Sequence, residues 1–139
     1  MNVYKVGLDI GSTTAKIVVL DKNGTDVLFY KYERHQAKVQ ECLSGFFREL
    51  GELVGDAPLA VQVTGSVGMG VAEKCGLPFV QEVVAATNYI RQHHPGVASM
   101  IDIGGEDAKV VFFQDHQATD LRMNGNCAGF TLAFPRKQA

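Results

Sequence analysis

The sequence predicts an α/β domain with a mixed β-sheet in the order βββαβα, followed by the first strands of a second, similar domain. Three observations support this prediction. Alternating apolar residues open the chain, two segments with helical spacing lie in its middle, and the opening pattern returns near residue 99. We therefore place a first domain at residues 1–97 and the incomplete start of a second domain at residues 98–139.

The first three strands are predicted from short apolar runs separated by short turns. Apolar residues alternate over residues 6–10, and further runs cover residues 17–20 and 27–32. The pair Asn23-Gly24 lies between the second and third runs, and Asn-Gly is typical of a type I′ hairpin turn. Because parallel neighbours need longer crossovers, these three strands are expected to form an antiparallel meander.

The apolar spacing then changes to that of helices. Apolar residues recur every three or four positions over residues 39–54, which predicts an amphipathic helix. Residues 59–63 form a short buried strand that we expect to pair in parallel with an earlier one. A short helix should end near Gly76, and a longer one should cover about residues 81–93.

Strands return in the last third of the chain, over residues 99–103, 108–113 and 119–123. The first of them ends as the opening strand does. Residues 9–16 read Asp-Ile-Gly-Ser-Thr-Thr-Ala-Lys, and residues 102–109 read Asp-Ile-Gly-Gly-Glu-Asp-Ala-Lys. This repeat indicates a duplicated domain.

The two Asp-Ile-Gly turns are the candidate functional sites. Glycine lets the backbone approach a ligand closely, and a tight turn can direct several N–H groups at one anion. An aspartate beside such a turn suits Mg²⁺, and phosphate donors with a metal-binding carboxylate are the requirements of phosphoryl transfer. A single such turn could be an ordinary hairpin, but two similar copies favour a phosphate site.

Each turn contributes a predicted set of site residues. Asp9 and Asp102 are the candidate catalytic residues. The predicted phosphate-binding residues are Gly11, Ser12, Thr13, Thr14, Lys16, Gly104, Gly105, Glu106 and Asp107. For Lys16 and its counterpart Lys109, a phosphate contact and a solvent-facing position both remain open.

The paired turns resemble the phosphate-1 and phosphate-2 motifs of the actin, Hsp70 and sugar-kinase superfamily. In that superfamily ATP lies between two ribonuclease-H-like domains, which implies an actin-type ATPase fold here. Within it, residues 9–16, 64–66, 81–85, 101–109 and 123–129 resemble the CoA-substrate-specific enzyme activases, the BadF/BadG/BcrA/BcrD ATPase family. This family includes the activators of 2-hydroxyglutaryl-CoA dehydratase and the ATPase subunits of benzoyl-CoA reductase.

The resemblance implies an ATP- and Mg²⁺-dependent activator. Such proteins are homodimers that share one [4Fe–4S] cluster, and ATP drives an electron from it to a CoA-ester dehydratase or reductase. Cys127 matches the first cluster cysteine of the family. The second family cysteine would lie beyond Ala139, and Cys42 and Cys75 are interpreted as ordinary cysteines.

The last residues depart from the family pattern. Phe130 and Leu132 stand where the family has glycines of a further phosphate turn, and Pro135 would interrupt the helix that follows. The adenosine-binding part of the second domain is also missing. The chain by itself is therefore expected to hydrolyse ATP poorly or not at all.

Three other functions remain open at this point. A sugar or polyol kinase of the same superfamily would need a catalytic base, and Asp56 is the mid-chain candidate. A non-catalytic nucleotide-binding or dimerisation remnant would show no ATP turnover. A ribonuclease-H-like nuclease would need converging carboxylates and a basic surface.

Composition excludes several classes of partner. A net charge of −2 provides no basic field for nucleic acid or anionic membranes. No apolar run reaches the length of a membrane span, and the first residues do not resemble a signal peptide. With three cysteines and no CxxC pair, we expect a cytoplasmic protein without a disulfide framework. All four histidines, His35, His93, His94 and His116, are expected to be solvated.

Overall fold

The computed structural model describes residues 3–103, 108–114 and 117–124. These residues belong to two compact units, Met1–Ala85 and Ala86–Ala139. The domain boundary predicted after residue 97 stays a prediction. None of the helices in the described part is both long and apolar enough to span a membrane.

The first unit contains a four-stranded mixed sheet. Strands β1 (Tyr4–Ile10), β2 (Thr14–Leu20) and β3 (Val27–Arg34) form the predicted antiparallel meander. Strand β4 (Leu59–Thr64) pairs in parallel with β1, which gives the sheet order β3-β2-β1-β4. The mixed sheet and the βββαβ order are therefore confirmed.

Helix α1 (Val39–Val54) covers one face of this sheet. Its apolar stripe buries Phe46 and Leu50, each 1% exposed. Because side chains alternate along a strand, β1 and β2 present every second residue to this helix. The buried strand residues of the core are Val6, Leu8, Ile10, Ala15, Ile17, Val19 and Val63.

Two further helices follow β4. Helix α2 (Gly68–Cys75) ends at Gly76, which takes the left-handed conformation with φ of 66° as predicted for a helix stop. Phe79 then forms a single parallel bridge with Val63. Helix α3 (Glu82–His93) has the predicted position, and the division between the two units falls within it.

The loop between β2 and β3 is not the predicted type I′ turn. It runs from residue 21 to residue 26, and within this described loop only Gly24 has a positive φ, of 78°. The N–H of Gly24 donates to the Asp21 carbonyl at 3.0 Å, and the N–H of Thr25 donates to the Asp21 carboxylate at 2.9 Å. The Asp21 side chain thus organises a longer loop, a local competition that the Asn-Gly signal does not reveal.

The second unit contains a three-stranded antiparallel sheet in the order β5-β6-β7. Its strands are β5 (Ser99–Ile103), β6 (Ala108–Gln114) and β7 (Gln117–Asn124). Asp102 pairs with Lys109 across β5 and β6, as Asp9 pairs with Lys16 across β1 and β2. The predicted repeat of the opening pattern is therefore present in the strand register.

Candidate functional site

The first Asp-Ile-Gly turn connects β1 to β2 at the end of the sheet. Leu8 and Ile10 point into the core beneath α1, so Asp9 between them points to the opposite face. Ser12 and Thr13 are exposed at the tip of the turn. The turn therefore presents a carboxylate and two hydroxyl groups at an accessible edge of the sheet.

Three backbone carbonyl groups of this turn, those of Gly11, Thr13 and Thr14, are bonded within the protein. The N–H of Gly11 donates to the Thr14 carbonyl at 2.9 Å, and the N–H of His35 donates to the Thr13 carbonyl at 3.1 Å. The imidazole Nε2 of His35 lies 2.8 Å from the Gly11 carbonyl oxygen. Within the described residues, the N–H groups of Ser12 and Thr13 have no hydrogen-bond acceptor. The turn therefore offers two unpaired backbone donors, which is the polarity that an anion requires.

Asp9 and Lys16 form an ion pair across the hairpin. Lys16 Nζ lies 3.3 Å from Asp9 Oδ2, and the two side chains are 44% and 37% exposed, respectively. Lys16 Nζ also lies 5.5 Å from the ring centroid of Tyr32. A pair this exposed contributes roughly 0–1 kcal/mol, so a metal ion can compete for the carboxylate and a phosphate for the ammonium group.

The loop after β4 packs directly against the same turn. Asp9 and Thr64 are register partners at the ends of the parallel strands β1 and β4. Gly65 has a φ of 102°, and a Cβ there would clash with the Ile10 carbonyl oxygen. The N–H of Val67 donates to that same carbonyl at 2.9 Å. Only glycine fits this junction, because both the backbone conformation and the close approach exclude a side chain.

Thr64 is a candidate that sequence reasoning did not select as a site residue. Within the described part of the chain its buried Oγ1 has no hydrogen-bond partner. As the register neighbour of Asp9, Thr64 lies on the same face of the sheet as the carboxylate. Its position at a strand end, before a glycine and level with Asp9, is the signal that could have identified it.

His35 is the second residue that the sequence did not reveal. It is only 6% exposed, so the expectation that all four histidines are solvated is wrong for His35. The expectation holds for His93 and His94, which are exposed, and His116 lies outside the described residues. His35 is buried because both ring nitrogens and its backbone N–H find partners in and beside the turn.

The second Asp-Ile-Gly turn is described only at its two ends. Asp102 on β5 is half-buried, and its register partner Lys109 on β6 is 9% exposed. The solvent-facing option for Lys109 is therefore wrong. The remaining predicted residues, Gly104, Gly105, Glu106 and Asp107, lie outside the described residues, as do Cys127, Phe130, Leu132 and Pro135.

The two described cysteines lie apart from the turn. Cys42 is on α1 with its Sγ 3.8 Å from a Glu33 carboxylate oxygen, and burial raises the pKa of its thiol. Cys75 is exposed at the end of α2. Within the described residues, no three histidine, cysteine, aspartate or glutamate side chains come together as a metal site.

Asp56 is too far from the turn to act as a catalytic base there. It precedes β4, whereas the turn lies beside the end of that strand, at the level of Thr64. Six strand residues span about 20 Å. The sugar-kinase alternative therefore loses the base proposed for it.

Comparison with known proteins identifies the family. The sequence model of the BadF/BadG/BcrA/BcrD ATPase family matches residues 6–135, nearly the whole chain. The chain belongs to the BadF/BadG/BcrA/BcrD ATPase family. The suspected resemblance is thus confirmed.

Two similar members of this family are named for their role. The (R)-2-hydroxyglutaryl-CoA dehydratase activating ATPase of Acidaminococcus fermentans is 27% identical over 96% of this chain and 52% of its own length. The 2-hydroxyisocaproyl-CoA dehydratase activator of Clostridioides difficile is 32% identical over 95% of this chain and 50% of its own length. The chain therefore spans about half the length of the curated relatives it matches.

Solved structures of family members have the same fold. The activator of 2-hydroxyisocaproyl-CoA dehydratase from Clostridium difficile with bound ADPNP gives a TM-score of 0.71 at 28% identity, covering 91% of this chain and 47% of that one. The Acidaminococcus fermentans (R)-2-hydroxyglutaryl-CoA dehydratase component A gives 0.68 at 25% identity, covering 91% and 49%. An Aquifex aeolicus Ppx/GppA protein shares the fold alone, with a TM-score of 0.60 at 11% identity over 95% of this chain and 54% of that one. The fold of this BadF/BadG/BcrA/BcrD family chain is thus actin-like.

Proposed function

We propose that this chain provides the first phosphate turn of an ATP-binding and ATP-hydrolysing activator of a CoA-ester dehydratase or reductase. The observation that carries the proposal is the first turn, in which the free N–H groups of Ser12 and Thr13 follow the accessible Asp9 carboxylate by three and four residues. Family membership and the nucleotide analogue in the structure of a similar activator support the same assignment.

Each group of the first turn has a role in the proposal. The N–H and hydroxyl groups of Ser12 and Thr13 donate to phosphate oxygens, and Thr14 adds a third hydroxyl. Asp9 holds Mg²⁺ through oxygen coordination, directly or through a bound water. Lys16, released from Asp9, neutralises charge on the phosphates.

A matching role is proposed for the second Asp-Ile-Gly turn. Asp102 would act on the metal or its water from the second copy of the motif, and Gly104, Gly105, Glu106 and Asp107 would bind phosphate. The matching registers of Asp9 with Lys16 and Asp102 with Lys109 support equivalent roles for the two hairpins.

The proposed electron transfer depends on a [4Fe–4S] cluster shared by a homodimer in the cytoplasm. Cys127 would supply one thiolate ligand, whereas within the described residues neither Cys42 nor Cys75 belongs to a group of three potential metal ligands. The cluster would provide a one-electron donor, and the acceptor would be the dehydratase or reductase component. The proposed contribution of the described residues is to bind and orient the nucleotide.

Isothermal titration of the chain with Mg·ADP and Mg·ATP tests the nucleotide site. We expect the Asp9→Ala variant to bind about tenfold more weakly, a loss of roughly 1.4 kcal/mol. Asp21→Ala is the matched control, because it removes an equal charge from the exposed β2–β3 loop. Equal affinity in Asp9→Ala, or no binding by the unaltered chain, would contradict the proposal.

A turnover assay separates this proposal from a non-catalytic nucleotide-binding module. Phosphate release from Mg·ATP that stops in Asp9→Ala supports hydrolysis at this site. Binding without any release would instead favour a nucleotide-binding module for the chain itself.

A further inference from the structure

We infer that His35 is a positioning residue that orients the phosphate turn. The expected effect of His35 on nucleotide affinity rests on the proposed function, whereas its effect on the conformation of the turn does not. His35 follows β3 and is 24 residues away from Gly11 in the sequence, yet its ring contacts the turn directly.

The hydrogen bonds of His35 fix the state of its ring. A carbonyl oxygen can only accept, so the 2.8 Å contact with Gly11 requires that Nε2 carries a hydrogen. A backbone N–H can only donate, so the 3.1 Å contact from Ala37 requires that Nδ1 accepts. Both nitrogens are engaged and the residue is buried, which leaves the ring one tautomer and one orientation.

The bond to Gly11 determines where the N–H of Ser12 points. The carbonyl of Gly11 and the N–H of Ser12 belong to the same planar trans peptide unit, so they point in opposite directions. When Nε2 of His35 holds the carbonyl on its own side, the Ser12 N–H must point away from His35. The backbone N–H of His35 holds the Thr13 carbonyl as well, so one residue restrains the turn at two positions.

The segment that presents His35 is held in an unfavourable conformation. Gln36 and Ala37 have φ angles of 52° and 62°, in the left-handed region that residues with a Cβ rarely adopt. The Ala37 N–H bonds to the His35 ring, and the Lys38 N–H donates to the His35 carbonyl at 2.7 Å. Strain of this kind persists where the surrounding structure requires it, and here it places His35 against the turn.

Two substitutions separate the two ring contacts. In His35→Asn the side-chain oxygen stands as many bonds from Cα as Nδ1 does, so it can still accept from Ala37 but cannot reach Gly11. In His35→Gln the amide nitrogen stands as many bonds from Cα as Nε2 does, so it can still donate to Gly11 but gives up the acceptor for Ala37. If His35 only stabilised the fold, each variant would lose nucleotide affinity in proportion to its loss of stability.

Titration with Mg·ADP, together with urea unfolding, measures both effects. We expect His35→Asn to bind about fivefold more weakly, the factor that one neutral hydrogen bond of about 1 kcal/mol provides. His35→Gln should bind within about twofold of the unaltered chain although it loses as much stability or more. Affinities of the two variants that follow their stabilities would overturn the inference.

Amide NMR tests the orientation of the turn without any nucleotide. The Ser12 amide resonance should shift in His35→Asn, and should stay near its original position in His35→Gln. An unchanged Ser12 amide in His35→Asn would overturn the inference. If the unaltered chain binds no nucleotide, the proposed function fails while this measurement still decides the role of His35.

Discussion

The two Asp-Ile-Gly hairpins share a register but differ in burial. Leu8 and Ile10 in the first copy are 2% and 0% exposed, whereas the equivalent Ile101 and Ile103 in the second are 51% and 68% exposed. The strand pairing is the same in both, with aspartate opposite lysine and the next isoleucine opposite alanine.

This difference shows that the local motif determines the strand register, whereas burial depends on the elements that pack against the hairpin. The register follows from alternation and turn length, which both copies share. Burial of the first copy comes from Phe46 and Leu50 on α1, more than thirty residues further along the chain. The same local pattern is therefore buried on both strands of the first hairpin, whereas in the second Ile101 and Ile103 are exposed although their partners Val110 and Ala108 are buried.

The largest predicted effect comes from a substitution at Gly65, where the loop after β4 packs against the first turn. Gly65→Ala places a Cβ against the Ile10 backbone in a left-handed conformation, and we expect the free energy of unfolding to fall by about 4 kcal/mol. Gly70→Ala is the control, because a Cβ at that helical position meets no atom within 4 Å. Urea unfolding followed by circular dichroism measures both, and similar stabilities of the two variants would refute the role of Gly65.

The next prediction compares equivalent residues of the two hairpins. Ile10→Ala should reduce the free energy of unfolding by about 3 kcal/mol, because it leaves a cavity beneath α1. Ile103→Ala should change it by less than about 0.5 kcal/mol, because that side chain is mostly exposed. The same urea experiment checks the pair, and equal losses would show that burial does not distinguish the copies.

The smallest predicted effect concerns the β2–β3 loop of the first hairpin and its response to acid. The hydrogen bond from the Thr25 N–H is the largest cause that lowers the pKa of Asp21 below its ordinary value of 3.8. A lowered folded-state pKa means that the stabilisation is present above the ordinary value and is lost as the pH falls through the folded-state value. The loop should therefore weaken in strong acid.

Thermal unfolding of the unaltered chain and of Asp21→Asn tests this prediction. The asparagine keeps an acceptor for Thr25 but carries no charge. The stability of Asp21→Asn therefore does not change with the titration of residue 21. We expect the difference in Tm between the two proteins to shrink from about pH 6 to about pH 2. A difference that grows towards acid would contradict the assigned sign.

The sequence predicts much of the fold and part of the site. Local periodicity predicts β1 to β3, and the glycine at position 76 correctly predicts where α2 ends. The hydroxyl-rich turn beside Asp9 is also local, and its residues lie together in the structure. These features depend on neighbours within a few residues.

The missed features depend on distant or competing contacts. His35 finds its acceptor on Gly11 only after β3 folds back on β2, so no sequence spacing indicates it. Thr64 comes beside Asp9 only through the parallel pairing of β4 with β1. The prediction of a type I′ turn was wrong because the Asp21 carboxylate accepts a hydrogen bond from the Thr25 N–H, and the loop is longer.

Strand β3 has a consequence for the behaviour of the protein at high concentration. It forms an outer edge of the first sheet, and it exposes 73% of Tyr30 and 65% of Tyr32. Lys31, Glu33 and Arg34 interrupt this aromatic run with charge, and an irregular pairing lies opposite, between Val19 and Leu20. Charged and irregular edges resist the addition of a further strand, so this edge is protected against the β-sheet aggregation that its tyrosines would otherwise invite.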